Sequence, residues 1–133
     1  MKKITLFQNI EKYLDDLEEI VPKNEDEFLS NKEKQYSVSM IIMNIINACI
    51  DIGQEIIINK QYTYPGSYKE VFETLHSKKI INKNISSKMK ELVGLRNLLA
   101  HEYGTINFEI LFETVQDLEF VEKYLQKTIN EFD

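Results

Sequence analysis

Leu95-Arg96-Asn97-Leu98-Leu99-Ala100-His101-Glu102-Tyr103-Gly104 gathers an arginine, a histidine and a tyrosine in the last turns of one helical pattern. A histidine side chain titrates at about pH 6.5, so it can take or give a proton near neutrality. Arginine carries a permanent charge on a planar fork that suits phosphate. Together they can hold a phosphate and move a proton beside it. Asn97 and His101 stand four apart and share a ridge. Arg96 lies one residue back and has the length to reach round to the same end. Asn97 is cast as the residue that orients His101 or holds a phosphate oxygen. A plain reading stands beside this one. In it Arg96 is a solvated charge, His101 covers the helix carboxyl end, and Asn97 and Tyr103 are ordinary interface residues.

Helices must position this stretch, because helical periodicity runs through almost the whole chain. Leu6, Ile10, Tyr13, Leu14, Leu17, Ile20 and Val21 recur at three and four until Pro22. Asn24 with Glu27 forms a capping box that opens a longer helix, from about Glu25 to Lys60. Its stripe is Val38, Ile41, Ile42, Ile45, Ile46, Cys49, Ile50, Gly53, Ile56 and Ile57, with a break or bend expected before Tyr36. Tyr64-Pro65-Gly66 signals a turn, and Ser67 with Glu70 caps a short helix carrying Val71, Phe72 and Leu75. The motif helix starts at Ser86 or Ser87 and closes at Gly104, which suits a left-handed cap. A last helix from Asn107 carries Phe108, Leu111, Phe112, Val115, Leu118, Val121, Leu125 and Ile129. The expectation is an all-α, up-and-down bundle of four long helices plus one short helix.

The 133 residues, 15.7 kDa, have room for one domain, taken as residues 1–133. With 43% hydrophobic and 29% charged residues the chain is too apolar for disorder. Only 4 Gly and 2 Pro punctuate it, which disfavours a sandwich or a small barrel. A single cysteine, Cys49, excludes a disulfide scaffold, and with 2 His it makes a poor zinc set. No metal and no cofactor are expected. No signal segment and no stretch approaching a membrane span is apparent, so a cytoplasmic protein with no membrane partner is expected. The net charge of −6 argues against indiscriminate nucleic-acid binding but leaves room for a local basic site. Of the 16 basic side chains only Arg96 is an arginine.

Arg96-Asn97-x3-His101-x-Tyr103 resembles the signature of the HEPN domain, in particular the HepT toxin branch of prokaryotic toxin–antitoxin pairs. Pro65-Gly66-Ser67-Tyr68-x-Glu70-x-Phe72-x2-Leu75 and Ala48-Cys49-Ile50-Asp51-Ile52 are similar to that branch as well. The likeness runs from about Val38 to Phe120. It implies a HEPN-like bundle acting as a homodimeric, metal-independent endoribonuclease, with Arg96 and His101 catalytic and RNA as substrate. It implies a nucleotidyltransferase (MNT-type) antitoxin as partner, blocking the toxin by contact, by AMPylation of Tyr103, or both, and leaves open a larger complex of the homodimer with that antitoxin. AMP there adds negative charge where RNA phosphate must sit. One chain offers one histidine in the motif, since His76 lies outside it. A two-fold axis would bring a second His101 and a second Arg96 to one cleft. Lys83, Lys88 and Lys90 would form a basic approach.

The alternative is a non-catalytic HEPN module that dimerises and binds nucleotide beside a nucleotidyltransferase. A more distant one is a helical adaptor carrying the motif by chance. Asp51 is a supporting candidate: buried, it would need a partner such as Arg96, whereas on the polar edge with Asn47 and Glu55 it would need none. Cys49 reads as a buried, inert thiol and His76 as a surface residue near a helix end. The acidic face Glu11, Asp15, Asp16, Glu18 and Glu19 reads as solvated. Tyr62 and Tyr64 read as core packing before base stacking.

Overall fold

The computed structural model describes residues 2–132. Seven α-helices follow one another among them: α1 Lys2–Ile20, α2 Glu25–Leu29, α3 Lys32–Asn59, α4 Tyr68–Ser77, α5 Lys83–His101, α6 Phe108–Val115 and α7 Glu119–Ile129. Single 3-10 turns occupy Tyr103–Thr105 and Asn130–Phe132. The all-α bundle is as expected. It differs at the last helix, which is interrupted, whereas the break in the long helix is as expected.

Asparagine sets most of the helix starts. Asn24, Asn31, Asn82 and Asn107 each accept a hydrogen bond from the backbone three residues on, at 3.2, 3.1, 2.8 and 3.0 Å. The expected break before Tyr36 falls at Ser30-Asn31, where Asn31 restarts the chain as α3. Gln35 Nε2 spans the break, donating to the carbonyls of Phe28 and Leu29 at 3.0 and 3.1 Å. The motif helix starts at Lys83 under the Asn82 cap, earlier than Ser86 or Ser87. Ser86 is instead buried, and its hydroxyl donates to the carbonyl of Phe72 at 3.2 Å. The last helix is divided at Gln116, which lets α6 reach α2 while α7 returns along α5.

α3 is the central helix, touching α1, α2, α4 and α5. Its isoleucine stripe is buried as expected, from Val38 through Ile42, Ile45, Ile46 and Cys49 to Ile57. By length and composition it could cross a membrane, with mean hydropathy 1.6 over its most apolar window, contrary to the expectation from sequence. Yet 56% of that window is buried inside the bundle, which accounts for the apolar run by core packing. Gly53 lets α4 and α7 approach: a Cβ there would meet Val71 Cγ1 at 2.5 Å and the Tyr124 hydroxyl at 3.1 Å. Fully buried Tyr124 donates its hydroxyl to the Cys49 carbonyl at 2.8 Å. That bond ties the last helix to the central one.

Candidate active site

α5 carries Ile85, Met89, Leu92 and Leu99 against the core, and Arg96 falls four residues after Leu92 on the same ridge. The arginine therefore occupies a place where the apolar stripe would otherwise continue. It is half-buried, and three helices hold it. From α3, Asn47 Oδ1 accepts a hydrogen bond from Arg96 Nε at 3.0 Å. From α5 itself, Asn97 Oδ1 accepts from Nη1 at 3.4 Å. From α4, the Tyr68 ring lies under the guanidinium, 5.1 Å from centroid to Cζ. Arg96 is therefore not the freely solvated charge of the plain reading.

His101 ends α5 and is exposed, with no hydrogen-bond partner among the described residues. Asn97 turns to Arg96 rather than to His101, so of its two expected roles the structure shows neither directly. Asp51 is exposed, one turn beyond Asn47 on α3, and is not the buried carboxylate that would demand Arg96. Asn47 and Asn97 accept hydrogen bonds from Arg96.

Gly104 does not act as a left-handed cap. The chain leaves α5 through Glu102 (φ −141°) and turns over Tyr103–Thr105. The turn presents the Tyr103 ring to Tyr36 of α3, stacked at 5.4 Å and 13°. Phe108 braces its edge at 6.0 Å. The ring is half-buried, while its hydroxyl bonds to nothing among the described residues.

The lysines expected to form a basic approach sit elsewhere. Lys88 and Lys90 belong to the far half of α5, Lys88 about 20 Å of helix away from His101. Lys90 pairs with Glu73 at 3.5 Å and Lys88 covers the Phe120 ring at 5.9 Å. His76 is exposed at the end of α4, as expected. Tyr62 is half-buried under Lys78 at 4.7 Å, whereas Tyr64 is 60% exposed. Burial pushes the Cys49 thiol far up, in keeping with an inert core residue. Among the described residues no three His, Cys, Asp or Glu side chains converge as metal ligands. The sequence reading missed Asn47 and Tyr68 as holders of Arg96. The only signal for Asn47 was a polar residue interrupting an isoleucine-rich helix.

Seven helices with Arg96 fixed on the inner ridge of α5 and His101 at its tip define a helical bundle of the HEPN toxin class. The fold matches a crystal structure of a toxin–antitoxin MntA–HpeT mutant at TM-score 0.90 and 25% identity, covering 96% of this chain and 98% of that one. It matches equally, at TM-score 0.90 and 26% identity over 96% of both chains, a tri-AMPylated Shewanella oneidensis HEPN toxin in complex with MNT antitoxin. The chain is 34% identical to the mRNA nuclease HepT of Shewanella oneidensis over 92 residues, 68% of this chain and 69% of that protein. It is 28% identical to the tRNA nuclease HepT of Aphanizomenon flos-aquae over 111 residues, 84% of this chain and 76% of that protein. The family model for HepT-like ribonucleases matches residues 10–128. The chain belongs to the HepT-like ribonuclease family.

Proposed function

We propose that this protein is the toxin of a prokaryotic toxin–antitoxin pair, a cytoplasmic endoribonuclease that cleaves RNA without a metal. Residues 1–133 form one domain, and two copies build the site. The observation that carries this reading is the fixed Arg96, oriented by Asn47 and Tyr68, on the helix whose tip carries an exposed and unengaged His101.

The chemistry needs a base for the 2′-hydroxyl, an acid for the departing 5′-oxygen, and positive charge at phosphorus. One His101 takes the 2′ proton and the 2′-oxygen attacks the phosphorus. The second His101 returns a proton to the 5′-oxygen as the P–O bond breaks. Each proton transfer is worth about 10² to 10⁴ in rate. The two Arg96 side chains stabilise the charge that builds on the phosphoryl oxygens. Asn97 and Asp51 support from the sides, Asn97 through Arg96. A single protomer holds one motif histidine, so the two-fold contact completes the site.

A nucleotidyltransferase antitoxin neutralises the toxin by contact and by AMPylation of Tyr103. Its free hydroxyl on a braced ring suits an acceptor, and one relative is described as tri-AMPylated. The test is cleavage of total RNA by purified protein in EDTA. Wild type should cleave, whereas Arg96→Ala and His101→Ala should each lose the activity with melting curves unchanged. Activity that survives both substitutions overturns the site. Activity that needs added divalent cation overturns metal independence.

A further inference from the structure

We propose that the outer face of Tyr36 is a stacking site for an unpaired base of the RNA substrate, a few nucleotides from the bond that is cut. The inference rests on the ribonuclease reading and adds a subsite to it. Tyr36 is 58% exposed, although it is a large aromatic ring at the start of the central helix. Its inner face is occupied by Tyr103, parallel at 5.4 Å, and Tyr103 is braced in turn by Phe108. The outer ring of this braced pair is held in place before any ligand arrives, so little freedom is lost on binding. Any base can stack on such a face, independent of its hydrogen-bonding edge.

Placement along α3 supports the same occupant. Tyr36 and Asn47 are three helical turns apart, on one side of the helix and about 16 Å from each other. Asn47 is the residue that holds Arg96. Between them lies Met40, 64% exposed. No charged residue occurs from Gln35 to Ile50, in a chain with 22 acidic side chains and a net charge of −6. A phosphate backbone leaving Arg96 along this line meets no carboxylate of α3 before it reaches Tyr36. Lys32, exposed one turn earlier on the same ridge, offers a cation just beyond the ring.

The experiment compares binding of a 2′-O-methyl oligouridine, which cannot be cleaved through its 2′-oxygen, with an abasic oligomer of the same length. Wild type is expected to favour the base-bearing strand by about tenfold. Tyr36→Ala should lose that preference and Tyr36→Trp should keep it, both with the oligomeric state of wild type by sedimentation. Equal binding of the two strands by wild type, or a preference retained in Tyr36→Ala, overturns the proposal. So does a Tyr36→Ala protein that becomes monomeric, because the strip would then be an interface between two copies. Arg96→Ala separates this from the underlying reading: it should weaken both strands alike. If it weakens neither, the phosphate role of Arg96 fails, whatever Tyr36 does.

Discussion

Arg96 is the residue on which most of the proposed site depends, and its environment explains why an arginine stands there. The guanidinium sits where the core stripe of α5 would continue, so it needs polar partners on its buried side. Asn47 supplies one from the middle of an isoleucine-rich helix. Removing it should leave Arg96 charged but loosely aimed. Asn47→Ala is therefore expected to lower the cleavage rate by about tenfold or more, the worth of a hydrogen bond to a charged group. The loss should fall mainly on kcat, with thermal stability close to wild type. A fall in stability with unchanged kcat would show that Asn47 serves packing alone. Arg96, Asn97, His101 and Tyr103 could be picked out together in the sequence because they stand within one helix and the turn that follows it. Asn47 and Tyr68 were not, since they reach Arg96 only once three helices have packed.

At the scale of elements the same division holds. Apolar periodicity with the starts at Asn24 and Asn107 located the helices, but the Asn82 cap of α5 was passed over, and the division of the last helix at Gln116 left no mark in a stripe that continues through it. The expected glycine cap also proved misplaced. Left-handed conformations fall instead at Gln61 (φ 58°) and Lys79 (φ 64°), which close α3 and α4. At both ends the chain doubles back with paired bonds: Tyr62 N to the Ile57 carbonyl and Gln61 N to that of Ile58, then Ile80 N to Leu75 and Lys79 N to His76. Glycine would adopt this backbone without the Cβ clash that a side chain carries. Lys79→Gly, at an exposed position, is expected to stabilise the protein by about 0.5–1 kcal/mol. A denaturant midpoint lower than wild type would contradict this.

Two consequences belong to the whole molecule, the first of them electrostatic. The acidic side of α1 meets α7, and Glu122 is held above its ordinary value by burial first, then by Glu11 and Asp15. In the window between its ordinary and its raised value the folded state binds more protons than the unfolded one. Stability from this group therefore falls as pH rises through that window and is lowest at neutral pH. Glu122→Gln is expected to raise Tm at pH 7 by about 1–2 °C and to flatten that part of the pH profile. An unchanged profile would place the repulsion elsewhere.

The second consequence concerns the number of chains in one site. Each protomer ends α5 with a single exposed His101, and its second histidine, His76, closes α4 outside the motif. If acid and base are the two His101 copies, removing one of them disables the shared cleft. Wild type and His101→Ala are to be mixed under conditions that exchange subunits. A mixed dimer then holds both Arg96 side chains but a single His101, and it should be nearly inactive. Cleavage should fall with the square of the wild-type fraction rather than in proportion to it. If each protomer carried a complete site of its own, every wild-type chain would keep its activity in either kind of dimer. Cleavage would then fall in simple proportion to the wild-type fraction, and the two-fold site would be wrong even though Arg96 and His101 were right.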